Sequence, residues 1–432
     1  MRNGLTRDMQ GFFFADAHEK LDTRPLNGVA VPITSVAVSG DYNAASGLSV
    51  FPANAIVLAS GFTNEANNVV SVVTGATATT LTTDGATVVE ASPPAAARLQ
   101  QVGYAFGSGD LSLTVAGGLA TLTSAAGGWF NLDLQVGEWV FIGGDNATER
   151  FASGYGYGRV SAKSSTELVI DEIAWIGTVA TDAGAGKTVK VYVGTYIRNE
   201  KDPTLIKCRT YQVERTLGSD DDGVQSEYLT GALENELSLN VPLKERHTAD
   251  FTYLALDNEQ RTGLEGVKSG THEAIPDQKL YNTTSSVFRL RMSLLDATTL
   301  APSDLFAYAS DATFTINNNA SVTEAIGVFG GFDITVGNFT VGGAVTAYFT
   351  TVESIKAIRD NKDVGFNAIL AQANKGLVYD IPLLGVSGGK LNVEKDAAIT
   401  VPLENFGAEN PNGYTMSYTS FDYLPTVAMP AA

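Results

Sequence analysis

Apolar and polar side chains alternate with period two through residues 210–257, first at Tyr211 and Val213, then at Leu237, Leu239 and Val241, then at Phe251, Tyr253 and Ala255. Alternation of this kind predicts paired strands with one buried face. A Gly-bearing acidic loop at 219–223 follows the first strand, and a Pro-bearing loop at 242–247 precedes the last. Residues 313–349 repeat the grammar with a strand, an Asn-rich loop, the run FDITVGNFTV and a closing strand AVTAYF. Each passage leads into a polar segment open to helix. After the second, Val352, Ile355, Ile358 and Arg359 fall on one helical face, with Glu353 in the first turn and Lys362 in the last. The period has shifted from two to 3.6, which predicts an amphipathic helix packed on a sheet.

Upstream, residues 53–91 can be laid against 137–175. In each, an apolar strand ends in a Gly turn, and a loop with Asn and Glu, a second strand, a Thr/Ser hairpin and a third strand follow. The copies continue into RLQQVGYAF and VKVYVGTYIR, again a strand in both. The predicted organisation is an arm at 1–28, small β modules at 29–105 and 106–197, and a β core at 198–432 that opens on the charged connection RNEKDPTLI. Phe12, Phe13 and Phe14 in the arm read either as a docking cluster or as ordinary core. Residues 260–281 are polar and lack alternation, as in a loop that reaches another subunit or one that is simply mobile.

Composition narrows the function. With 432 residues, 17% of them charged, and abundant Gly, Ala, Thr, Val and Asn, the chain predicts a mainly β protein. Forty-seven acidic against 28 basic residues give a net charge of −19, which repels phosphates and argues against a duplex-binding footprint. An acidic wall past which a polyanion slides is compatible with it. The N-terminus lacks the apolar core and cleavage site of a secretion signal, and no apolar run reaches the length of a membrane span, so a cytoplasmic origin and no membrane partner are expected.

No motif points to chemistry. Cys208 is the single cysteine and is expected as a small buried strand residue; His18, His247 and His272 are too scattered for a metal site. AGAGKT at 183–188 lacks a Gly where Thr181 stands and runs into a strand instead of a helix, so it reads as a Gly-rich hairpin. Asp220, Asp221 and Asp222 suit a hard cation but have neither flanking helices nor the ligand spacing of a calcium loop. Sequons at Asn146, Asn282, Asn319 and Asn338 read as turns. No Ser or Cys nucleophile motif and no singled-out carboxylate pair is present, so neither an enzyme nor a cofactor is expected.

The passage RTYQVERTLGSDDDGVQSEYLTGALENELSLNVPLKERHTADFTYLALDNE resembles the major tail tube protein of long-tailed, non-contractile bacteriophages. Its E-R strand, Y-L-x-G strand and N-x-L-S-L strand follow that family's order, although F-T-Y-L-A-L stands where a Gly is common. FGGFDITVGNFTVGGAVTAYFTTVESIKAIRDNK, DIPLLGV and LPTVAMP are similar to its second half, so the likeness spans about 200–432, with the tandem modules similar less specifically. The resemblance implies a tail-tube-type β-sandwich or barrel with one or two short helices that joins edge to edge into rings, stacked into a conduit for double-stranded DNA. It implies partners at the tail tip and terminator, and a place in the virion. If 210–257 and 313–349 are duplicated tube units, three chains complete a pseudo-six-fold ring, which is slightly favoured; if both build one unit, six do. Asp220, Asp221 and Asp222 are then candidates for the lumen or ring interface, and Leu264, Glu265, Lys268, His272 and Glu273 for an inter-ring loop. The modules would decorate the outside or help close the ring. The competing class is a surface adhesin or carbohydrate-binding array, which predicts a secretion signal and stable monomers.

Overall fold

The computed structural model describes residues 2–15, 32–37, 40–268, 280–295, 302–306, 309–327, 329–349, 352–360, 362–388, 390–393, 395 and 398–430. Strands dominate, and the described helices are short: α1 (Arg2–Phe12) and α2 (Val352–Arg359). α2 is the helix that the shift of period predicts. Lys356 and Arg359 occupy its last turn, and Lys362 lies beyond it.

The first half of the chain forms one 12-stranded sheet. Its first strands are β1 (Ile33–Val36), β2 (Asp41–Ala44), β3 (Ala55–Ser60), β4 (Val70–Ala76), β5 (Thr80–Thr83) and β6 (Arg98–Ala105). The remainder are β7 (Leu111–Ala116), β8 (Leu119–Ser124), β9 (Trp139–Ile142), β10 (Gly154–Lys163), β11 (Glu167–Gly177) and β12 (Lys190–Tyr192). Their order, β1-β2-β5-β4-β3-β6-β12-β9-β10-β11-β8-β7, is a palindrome once β1–β6 are equated with β7–β12. β6 and β12 meet antiparallel at its centre, Tyr104 opposite Val191, as a local two-fold between equivalent strands requires.

The likeness extends to side chains. Val36 bridges to Glu90 in one half and Leu113 to Asp182 in the other. Glu90 accepts from the Thr63 and Asn64 amides and from Asn67 Nδ2, and Asp182 from the Ser153 and Gly184 amides. Desolvation pushes both carboxyls up, yet these hydrogen bonds outweigh it and hold each below the ordinary carboxylate range.

The second half opens with β13 (Thr195–Arg198), β14 (Tyr211–Asp220), β15 (Gly223–Pro242), β16 (Thr248–Leu254) and β17 (Asp257–Thr262). It continues with β18 (Val287–Leu295), β19 (Pro302–Asp304), β20 (Ala309–Asn317), β21 (Ser321–Glu324), β22 (Gly331–Thr335) and β23 (Thr340–Tyr348). It ends with β24 (Val364–Gln372), β25 (Lys375–Gly388), β26 (Thr400–Gly407) and β27 (Ser417–Phe421). Among the described residues β21 and β22 pair only with each other, and the rest form a 13-stranded sheet. That sheet folds on itself as a sandwich, with Leu237, Phe314, Val345 and Leu403 facing Phe366, Leu370 and Ile381 across one core. The Phe314 and Phe366 rings lie 4.3 Å apart across it.

Three expectations change here. The Y-L-T-G and N-E-L-S-L segments are not separate strands but parts of the 20-residue β15. The polar segment after the first passage is strand β17 instead of helix, because β15 offers it a ladder from Gln225 to Thr230. Cys208 is exposed and precedes β14 instead of lying buried in a strand. The passages at 210–257 and 313–349 also share one sheet, with β15 paired to β20, and one core.

The two halves of the chain pack through a further apolar layer. Trp139, Phe141, Tyr157 and Tyr192 of the 12-stranded sheet meet Ile369, Val378, Phe421 and Leu424 on the outer face of the sandwich. The strands at the centre of the palindrome are thus covered on both faces; all of β9 is buried. Gly137, just before β9, lies in this junction with φ of 94°, and a Cβ there would come within 2.5 Å of both Tyr196 Oη and Tyr414 Oη. Gly137→Ala is therefore expected to lower stability by about 2–3 kcal/mol through overpacking and left-handed strain, read as a fall in Tm.

Candidate assembly surface

β15 is too long for the sandwich that holds its C-terminal half. Its residues 236–242 pair with β20 inside the core, whereas residues 223–232 carry β14 on one edge and residues 225–230 carry β17 on the other. The result is a three-stranded arm, with most of β14 and β17 exposed. Among the described residues β14 has no strand partner on its outer edge. An unpaired edge is a template for another strand, and here the ladder register shifts at Tyr211/Val213 and at Thr216/Gly218.

Asp220, Asp221 and Asp222 form the turn at the arm's tip. Asp220 Oδ1 accepts from the Asp222 amide and from Gln225 Nε2, both at 3.0 Å, and Gln225 also donates to Thr262 Oγ1. These bonds tie the β14–β15 turn to the end of β17. The turn containing Leu264 and Glu265 is held against it: a Cβ on Gly263 would lie 2.8 Å from the Asp222 carbonyl. Tyr228, buried under this turn, donates to the Gly266 carbonyl and accepts from the Lys268 amide. The Lys268 ammonium sits 4.7 Å over the Tyr228 ring and 2.9 Å from Glu259. Lys268, and then Arg261, hold the Glu259 carboxyl below the usual carboxylate range.

Two groups of candidate residues that stand some 40 positions apart in sequence thus share one tip: the three aspartates, and Leu264, Glu265 and Lys268. His272 and Glu273 lie outside the described residues. Among the described residues, no group of three or more His, Cys, Asp or Glu side chains converges to hold a metal, and no helix is long and apolar enough to cross a membrane.

Periodicity did not reveal a second feature. The β21–β22 hairpin projects Ile326 and Phe329 into solvent, at 108% and 88% exposure, with Phe332 half exposed behind them. Its loop end is fixed to the arm through the Gly331 amide, which donates to the Leu256 carbonyl. The available signal was an apolar run, AIGVFGGF, broken by glycines between two short strands. Exposed aromatics of this size mark surfaces that meet another macromolecule.

A family model described as phage tail tube protein matches residues 108–407, more than half of the chain. The chain belongs to the phage tail tube family. It is accordingly a structural component of the virion tail, from a family whose members assemble into a multi-subunit tube. No curated protein matches the sequence. The tail tube match begins farther upstream than the motif resemblance at about 200, and its start falls between β6 and β7. The second half of the palindromic sheet lies inside the match, while the first half lies before it.

Proposed function

We propose that this tail tube subunit comes from a long-tailed, non-contractile phage and self-assembles edge to edge into rings, stacked as a conduit for double-stranded DNA. The observation that carries the reading is the arm, which extends the sheet beyond its core and presents the unpaired edge of β14. Pairing that edge with a neighbouring copy removes an aggregation hazard and propagates a ring. The net charge of −19 suits a wall that does not retain a polyanion. The Asp220–Asp222 turn and the Leu264–Lys268 turn, joined at one tip, form the contact to the next copy, and the β21–β22 hairpin adds apolar area beside them. Because 210–257 and 313–349 build one core, each chain contributes one tube unit, and the ring is hexameric instead of the trimer that a duplicated unit requires. The β1–β12 sheet, packed on the outer face of the sandwich, decorates the tube. Proteins at the tail tip and terminator cap its ends.

Negative-stain electron microscopy of the concentrated protein, with and without a tail-tip complex as seed, tests this reading. Hollow six-fold rings or tubes are expected, whereas three-fold rings overturn the symmetry alone. Particles that never assemble, even when seeded, overturn the reading. Ile326→Glu with Phe329→Glu is expected to raise the concentration needed for assembly about tenfold, equivalent to about 1.4 kcal/mol per contact, while leaving Tm unchanged. Sedimentation across a concentration series measures it.

A further inference from the structure

Helix α1 lies across the base of the arm and covers a buried carboxylate. Met9 and Phe12 are fully buried and Phe13 nearly so, and the Phe12 ring packs edge-on against Phe13, Phe251 and Phe339. Beneath them Glu234, on β15, has no solvent exposure, and among the described residues neither of its carboxylate oxygens has a hydrogen-bond partner from another residue. Gly11 leaves room for it: a Cβ at that position would lie 2.5 Å from Glu234 Oε1. The backbone around the carboxylate is fixed, since Asn318 Nδ2 donates to both the Phe12 and the Glu234 carbonyls.

The surroundings compensate a negative charge only in part, through the residue's own backbone amide and Arg209. Asp8 of α1 faces Glu234, with Tyr253 of β16 donating to Asp8 Oδ1 at 3.2 Å. Tyr211 of β14 and Cys208 also lie in its field, with Asp333 of β22 acting on Cys208. The cations are Arg7, which acts on Asp8, and Arg209, whose Nη1 donates to the Ala15 carbonyl.

We propose that α1 is a proton-latched arm, docked while the Glu234 carboxyl carries a proton and released when that group ionises, which uncovers Phe251 and Phe339 at the base of the hairpin arm. The latch is a property of the single subunit and stands apart from the assembly reading. Burial is the largest influence on Glu234 and, joined by the charge of Asp8, outweighs the residue's own backbone amide and Arg209, pushing the carboxyl up to about 8. Burial raises Asp8 as well, against its hydrogen bond from Tyr253 and the charge of Arg7. The docked carboxyl is raised above its free value of 4.5, so docking is strongest below that pH. It weakens by roughly tenfold per pH unit as pH rises toward about 8, and then levels off.

Amide hydrogen exchange of the full chain, corrected for intrinsic rates, tests the latch in peptides covering residues 5–15. Between pH 6 and pH 8.5 their protection is expected to fall on the order of 100-fold in the wild type, to stay level in Glu234→Gln, and to fall by less than in the wild type in Asp8→Asn, which lacks the charge that opposes ionisation of Glu234. Gly11→Ala is expected to leave the segment unprotected at every pH while the core strands stay protected, since its new methyl group occupies the carboxylate's space. Level protection in the wild type, or an equal fall in Glu234→Gln, overturns the proposal.

Discussion

Arg159→Met is expected to destabilise the protein by about 3–5 kcal/mol, the loss typical of breaking a buried ion pair from one side. Arg159, on β10, is 6% exposed and joins two carboxylates. It makes a bidentate contact with Asp171 of β11 at 2.9 and 3.0 Å, and its Nη1 reaches both oxygens of Asp380 on β25 at 3.1 Å. Methionine fills much of the volume but leaves Asp380, 1% exposed, with no counter-charge. Burial pushes the Asp380 carboxyl up to about 6, with the Arg159 guanidinium opposing that rise. A carboxyl raised above its ordinary 3.8 favours folding at low pH, and that contribution is lost as pH climbs through the folded value. Without Arg159 the carboxyl rises further, so the deficit of the variant should be smaller at pH 5.5 than at pH 8. Adding Asp380→Asn to Arg159→Met should recover part of the loss, because an amide can be buried without a counter-ion. Urea unfolding at the two pH values measures both effects. An equal deficit at both pH values would show that packing, not charge, is what Arg159 supplies.

The second large effect is expected at Tyr157, also on β10. Its ring is fully buried and meets Phe141 and Phe288 at 4.9 Å and Phe421 at 6.0 Å, while its hydroxyl donates to the Ala428 carbonyl at 3.0 Å. One side chain therefore touches the 12-stranded sheet, the sandwich and the C-terminal segment. Tyr157→Ala removes the ring from a junction of rigid sheets that cannot collapse around the cavity, at a cost of about 3–5 kcal/mol. Tyr157→Phe keeps the packing and loses only the donor to Ala428, at about 1 kcal/mol. Urea unfolding of the two variants separates packing from hydrogen bonding, and Tyr157→Ala should also speed proteolysis near residues 426–430.

Both predictions concern the junction between the two halves, which local reasoning could not reach. Arg159 and Asp380 are 221 positions apart, and nothing near either one marks the other as its partner. Glu172 is a similar case. It is 2% exposed and is held by Arg289, Arg291 and Ser293 of β18, more than a hundred positions away. Along the chain it is one acidic residue in an alternating strand. Glu234 likewise reads as an ordinary polar position in ENELSL until α1 is laid over it.

Features set by near neighbours along the chain were legible. Period two marked the strands around 211–254, the shift to 3.6 marked α2, and the order of short β motifs pointed to the tail tube family. The alignment of 53–91 with 137–175 matched β3–β5 with β9–β11, since a repeat preserves the local pattern that builds each strand. Two-residue turns and polar tips also arise from local chemistry, which is why the Asp220–Asp222 turn could be placed. The length of β15 could not, because a strand ends where its ladder partners end, and β14, β16, β17 and β20 come from four separate stretches. The sequence by itself thus determined many of the strands, helix α2 and the family resemblance, but not α1 or β17. Only the tertiary structure decided which edges stay open, which charges are buried together and which apolar side chains stay in solvent, because those depend on long-range pairing that no local period encodes.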